Sequence, residues 1–172
     1  ELFLLQLRLI QLKKRRKGAV KGYAFEKIGH YFNTFFNTKL PFELTGAQKR
    51  VLREIRHDMG RPVQMNRLLQ GDVGSGKTMV GLMSMLMAID NGYQACMLAP
   101  TEILAQQHYD GIQEYIEGLG LEIGFLSGSV KGKARKQLLE RLAAGEINIL
   151  VGTHAILEPP VVFQNLGLAI TD

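Results

Sequence analysis

The sequence predicts an α/β fold, a parallel sheet with helices on both faces, preceded by an N-terminal linker helix. Two observations carry this. Beyond residue 60, short apolar runs alternate with amphipathic stretches of ten to fifteen residues, and a glycine-rich loop sits at the first junction between such a run and a helix. The elements follow in order. Leu2, Leu5, Leu9 and Leu12 recur at helical spacing, so residues 2–17 are predicted as a helix needing a partner surface; it ends in the basic run KKRRK at 13–17 and Gly18. Residues 18–40 read as a connector, with a short helix around Tyr23 to Phe36. Thr45 is placed to cap a helix running to about Asp58, and Gly60-Arg61-Pro62 breaks it. Strands are then predicted at Arg67–Gln70, Ala95–Ala99, Glu122–Leu126, Ile149–Val151 and Leu168–Thr171, with helices at Lys77–Asn91, Glu102–Glu117 and Lys131–Ala144. In such sheets ligands bind beyond the carboxyl ends of the strands.

Length and composition set bounds on the rest. With 172 residues, 46% hydrophobic and 22% charged, the chain can bury one full core, so one domain with an appendage is expected. The leucine-rich start carries Glu1 and Arg8 and has its basic cluster after the apolar part, the reverse of a signal peptide, and no long uninterrupted apolar run exists. A cytoplasmic protein without membrane association is expected. The single Cys96 lies in the apolar run QACMLAP and reads as core packing. His30, His57, His108 and His154 show no metal-ligand spacing with one another or with Cys96, so no zinc is expected. Charge is uneven: residues 1–40 hold nine Lys/Arg against two Asp/Glu, whereas residues 41–172 hold twelve against fourteen. The basic lead-in reads either as a connector near nucleic acid or as a solvated helix end whose cations complement the helix dipole.

Residues 71–78, GDVGSGKT, match the phosphate-loop pattern G-x-x-x-x-G-K-[ST] between a predicted strand and a predicted helix. Gly71, Gly74 and Gly76, with Ser75 between the last two, let the backbone curl so that successive N–H groups face a phosphate at the positive end of the helix. Lys77 would reach the β- and γ-phosphates, and the Thr78 hydroxyl would take one Mg²⁺ position. The second side of the ion is expected from an aspartate ending another strand, and LGLAITD supplies Asp172. Lys77 and Asp172 are therefore the candidate catalytic residues, Thr78 and Asp172 the metal ligands, and ATP or GTP with Mg²⁺ the cofactors.

RLLQGDVGSGKT (67–78), LAPTEILAQQHY (98–109), LSGS (126–129), VGTHAIL (151–157) and NLGLAITD (165–172) together resemble successive motifs of a superfamily-two helicase, and their wording resembles the RecG branch. The resemblance covers roughly residues 40–172. It implies a RecA-like P-loop NTPase motor over 41–172, with residues 1–40 as the basic amphipathic linker. PFELTGAQ (41–48) is similar to the adenine-reading motif; Gln48 carries a carbonyl and an amide and can pair with adenine at two points, favouring ATP. The resemblance further implies that Pro100, Thr101, Ser127, Gly128, Thr153 and His154 line a strand-tracking DNA surface, roles that ordinary capping and turn chemistry would also explain.

In the family the last motif's aspartate is followed by a glutamate that positions water, and a second RecA-like domain supplies arginines to the transferring phosphoryl group. Neither is in this sequence, so the chain is expected to be a fragment, ending at the Walker B aspartate, that hydrolyses ATP negligibly by itself. The longer parent would be an ATP-driven helicase acting on forked or junction DNA in repair and recombination, with an N-terminal wedge domain. The alternatives are the motor of a transcription-repair coupling factor or primosomal helicase, and a nucleotide-binding fragment with no independent activity. A small P-loop kinase would need substrate and lid segments where the tracking-type motifs stand.

Overall fold

The computed structural model describes residues 3–8, 11 and 22–172. Residues 3–8 and 11 are helical, with Phe3, Leu4, Leu5 and Leu7 exposed. The remainder of the helix predicted over 2–17, with Leu2, Leu9, Leu12 and the basic run, lies outside the described residues.

The sheet has four parallel strands: β1 (Gln94–Leu98), β2 (Ile123–Leu126), β3 (Ile149–Gly152) and β4 (Leu166–Thr171), in the order β2-β3-β1-β4. Side chains alternate between its faces, as the pleat requires. Ala95, Met97, Ile149, Val151 and Leu168 enter one apolar cluster. Cys96 and Leu150 enter a second cluster, on the opposite face. The first is covered by α3 (Lys77–Asp90) and α4 (Glu102–Ile116), through residues such as Leu82, Leu86 and Ile112. The second is covered by α5 (Gly132–Ala143), through Leu138 and Leu142, and by a short 3-10 turn at His154–Leu157. Helices on both faces of a parallel sheet are what the sequence predicts.

Helix α3 is the inner helix of the fold. Every residue from Met79 to Ile89 is buried, and a helix that is apolar all round belongs in a core rather than at a surface. Each Leu or Met side chain so buried contributes about 2 kcal/mol of apolar transfer. Ser84 satisfies its hydroxyl by donating to Val80 O at 2.8 Å within the helix. Gln94, buried at the start of β1, donates to the carbonyls of Leu142 and Ile147 and accepts from Asn165 N–H, joining α5 to the start of β4.

The helix predicted to run from Thr45 is α2 (Gly46–Met59). Thr45 Oγ1 accepts from Gln48 N–H at 3.2 Å and Gln48 Oε1 accepts from Thr45 N–H at 2.8 Å, a reciprocal capping box. The connector differs from expectation. Instead of a helix over Tyr23 to Phe36, a single α-turn at His30–Thr34 (α1) passes into a π-type turn at Phe35–Lys39. Its anchor is the end of α3: Asp90 accepts from the N–H groups of Gly29, Tyr31 and Phe32 at 2.9, 2.9 and 3.1 Å. Asn91 accepts from Lys27 N–H and donates to Lys27 O. Gly29 is required there, because a Cβ would meet the Asp90 carboxylate oxygen at 2.7 Å. Phe25 and Phe35 are buried in the same core cluster as α3, so residues 22–40 pack into the body.

One predicted strand is absent. Residues Arg67–Gln70 form no regular element and pair with no strand. A ladder needs its neighbour about 4.8 Å away. Here a cavity of about 560 Å³, lined by Met65, Leu69, Val80, Leu168 and Ile170 among others, separates the segment from β4. The segment is tied to the other side instead: Arg67 donates to Glu54 at 2.7 Å and to Asp58 through two nitrogens. These partners, Asp58 foremost, raise the guanidinium's pKa above its ordinary value.

Two outcomes follow. Asp90→Ala leaves three backbone donors without their carboxylate and is expected to lower unfolding stability by about 2 kcal/mol, read from the urea midpoint, with Asp90→Asn losing less. Burial pushes the Cys96 thiol from its ordinary 9.0 up to about 11. The fold favours the neutral thiol, so this stabilisation is complete below the ordinary value and is lost as pH climbs toward 11. Iodoacetamide at pH 8 should alkylate the folded chain roughly two orders of magnitude more slowly than an unfolded control.

Candidate functional site at the carboxyl edge of the sheet

The four strands end abreast. Leu126, Gly152, Leu98 and Thr171 share register across the sheet, so the residues that follow them form a row about 14 Å wide at ordinary strand spacing. That row is Ser127, Thr153, Ala99 and Asp172. Parallel strands deliver every functional segment to one edge, which is how motifs far apart in sequence come together.

At one end of the row stands the phosphate loop. Gly76 is the N-terminal cap of α3, with φ +79° and ψ 26°. That left-handed conformation is open to glycine and strained for other residues. The 14-residue helix presents its unpaired N–H groups just beyond it. The loop is closed on itself: Lys77 Nζ donates to the carbonyls of Gly71 and Asp72, both at 2.8 Å, and Ser75 N–H donates to Asp72 O at 3.1 Å. Gln48 Nε2 donates to Ser75 O at 2.9 Å. Gln48 Oε1 also accepts from Thr45 N–H, so each end of its amide already makes one hydrogen bond in this conformer. Lys77, Thr78 and Asp172 line one cavity, together with His108. Of the predicted nucleotide set, Gly71, Gly74, Ser75, Gly76 and Lys77 form the loop, while Gln48 is bonded to it from α2.

Asp172 is positioned by main chain and side chain alike. Its N–H donates to Leu98 O at 2.9 Å, and its Oδ2 lies 2.7 Å from His108 Nε2. A hydroxyl and a carboxylate are hard oxygen donors that suit Mg²⁺, which is usually held by one or two carboxylates together with substrate phosphates. Among the described residues no group of three or more His, Cys, Asp or Glu could hold a metal by itself.

The rest of the row carries the predicted DNA-facing residues, and the structure divides them. Pro100, Thr101, Gly128 and His154 are exposed, whereas Ser127 is 0% and Thr153 5% exposed. Thr101 Oγ1 caps α4 by accepting from Leu104 N–H at 3.3 Å. Ser127 is occupied with Ser129 at 2.7 Å, and Ser129 donates to Glu102, which ties the turn after β2 to the start of α4. The hydroxyl of Thr153 is buried without a hydrogen-bond partner among the described residues. Sequence reasoning missed Glu102 and His108 as members of the site. Both stand in the quoted segment LAPTEILAQQHY, but their partners are 27 and 64 residues away and no local pattern points to them.

A parallel α/β sheet with a phosphate loop at the head of its inner helix and an aspartate at the end of its edge strand defines a P-loop nucleotide-binding protein. Residues 45–172 match the DEAD/DEAH box helicase family, and the chain belongs to that family of ATP-using proteins. It is similar to the ATP-dependent DNA helicase RecG of Bacillus subtilis (strain 168), 49% identical over 172 residues, covering 100% of this chain and 25% of that protein. The RecG helicase of Pasteurella multocida (strain Pm70) is 50% identical over 137 residues, 80% of this chain and 20% of that one. Among solved structures, RecG bound to a three-way DNA junction superimposes with a TM-score of 0.88 at 40% identity, covering 98% of this chain and 23% of that one. The chain thus spans about a quarter of the length of such relatives. No helix among the described residues is long and apolar enough to cross a membrane.

Gly76→Ala tests the loop's geometry. It places a Cβ in a left-handed conformation and against Gln48 Nε2, and is expected to cost about 1–2 kcal/mol in urea unfolding.

Proposed function

We propose that this chain is the ATP-binding half of a RecG-type DNA motor, with residues 41–172 as the RecA-like motor domain and 1–40 as the lead-in to a wedge domain of the longer protein. The observation that carries the proposal is the shared edge: the phosphate loop, Asp172 and the exposed Pro100, Thr101, Gly128 and His154 follow the ends of a parallel sheet or face the cavity beside it. The likeness to RecG bound to a DNA junction supports it.

In this reading Gly71, Gly74, Ser75 and Gly76 surround the phosphates with backbone N–H groups. Lys77 exchanges the carbonyls of Gly71 and Asp72 for phosphate oxygens. That exchange opens the loop and takes Ser75 O away from Gln48, whose amide then turns to adenine. Bound Mg²⁺ would neutralise phosphate charge, and Thr78 and Asp172 are its protein ligands. Pro100, Thr101, Gly128 and His154 meet the DNA backbone, while buried Ser127 and Thr153 shape the turns that present them. Completion of the motor requires a second RecA-like domain, whose arginines would act on the transferring phosphoryl group. The parent acts in the cytoplasm on forked or junction DNA, regressing forks and migrating branches.

Calorimetric titration of the chain with ATPγS and Mg²⁺, with GTP as competitor, tests the site. Adenine-selective binding is expected, weakened at least about tenfold in Lys77→Ala, which loses a charge-assisted contact. Equal affinity for GTP would remove the role given to Gln48, and unchanged binding in Lys77→Ala would remove the loop's.

A further inference from the structure

His108 is not among the residues given a role above, yet it is the side-chain partner of Asp172. It lies on α4, seven residues after the cap Thr101, or about 10 Å along the helix. Its side chain is 15% exposed, against 46% for that of Asp172. The ladder to Leu98 fixes the Asp172 backbone, but it leaves the carboxylate free to turn about its side-chain torsions. A carboxylate can only accept, so in the 2.7 Å contact His108 Nε2 carries the proton and donates to Oδ2. Among the described residues Oδ1 of Asp172 has no hydrogen-bond partner.

We propose that His108 is a positioning residue for the nucleotide's divalent cation: its Nε2–H holds Oδ2 of Asp172, selecting the carboxylate rotamer that leaves Oδ1 for the ion. The inference rests on the reading of Asp172 as the metal-side carboxylate. Groups that orient a metal-binding carboxylate act on metal affinity without touching the ion, and their removal costs roughly ten- to hundredfold. His108 comes from the helix that Thr101 caps, so the helix that begins at the proposed DNA surface also sets the aspartate at the nucleotide.

The test is the gain in ATPγS affinity that Mg²⁺ confers, taken as the ratio of dissociation constants in EDTA and in Mg²⁺ by calorimetry. A packing defect lowers both affinities and leaves the ratio; loss of a metal-orienting contact lowers the ratio. Asp172→Ala should abolish the gain, His108→Leu should cut it by about tenfold, and His108→Gln, which restores an N–H donor, should recover most of it. His108→Ala replaces the leucine variant if that one fails to fold. If Asp172→Ala loses the gain but His108→Leu keeps it, or if His108→Gln recovers no more than His108→Leu, the proposal is overturned and the reading of Asp172 stands. A gain that survives Asp172→Ala, or that the unaltered chain never shows, overturns that reading and the proposal together.

Discussion

The burial of α3 is the constraint on which the rest of the structure depends. A helix wrapped in apolar contacts from Met79 to Ile89 cannot slide or tilt without opening the core. Both of its ends are therefore fixed points. The N-terminal end presents the phosphate-loop sequence, whose N–H groups could receive an anion only if they stay aimed. At the C-terminal end Asp90 and Asn91 reach past their own helix to hold the backbone of Lys27 to Phe32. The segment Lys27 to Phe32 is thus fastened to the far end of the helix whose near end carries the phosphate-loop sequence. One buried helix of 14 residues separates the two.

The sheet supplies the second fixed frame. β1 sits between β3 and β4, and its register with both puts the turns after all four strands on one level. Function at such an edge comes from what each strand releases into it. Next to β1 the proline and Thr101 begin α4, which returns His108 to the last residue of the row. The turn after β2 is fastened to α4 by Ser129 and Glu102. The turn after β2, the start of α4 and Asp172 are consequently linked by hydrogen bonds through α4, which is common to all three.

How much of this was legible in the sequence depends on the range of the interaction. Thr45 and Gln48 stand three residues apart, and the cap could be named from Thr45 alone. The period of the apolar runs placed β1 to β4 and α3 to α5 to within a few residues, because burial on two sides leaves few other patterns. The phosphate loop was readable because a chemical demand, close approach of backbone to an anion, is met by glycine at fixed spacing. Arg67–Gln70 misled for the opposite reason: RLLQ has the composition of a strand, but a strand is defined by its neighbour, and here a cavity stands where one would be. Likewise Ser127 and Thr153 are polar residues at the right level of the sheet whose side chains turn inward, and composition alone carries no sign of that. The pairs that complete the site, His108 with Asp172 and Glu102 with Ser129, are set by tertiary approach and leave no local trace.

The loop as it stands also constrains how the site can work. Lys77 and Gln48 are the two side chains whose polar ends a nucleotide would need; Lys77 donates to two loop carbonyls, and Gln48 donates to a third while accepting from Thr45 N–H. An ammonium left without acceptors beside a helix N-terminus would face the positive end of the dipole, so folding back onto Gly71 and Asp72 is the stable arrangement when no anion is there. A phosphate reverses the balance: it offers charged acceptors to Lys77 and to the helix N–H groups at once, and charged hydrogen bonds are roughly twice as strong as neutral ones. Gln48 gains no such advantage from a base, since it exchanges neutral bonds for neutral bonds. In the proposed reading, phosphate contacts would therefore supply most of the affinity through Lys77 and Gln48 would supply the discrimination, with the carbonyl of Ser75, now held by Gln48, linking the two.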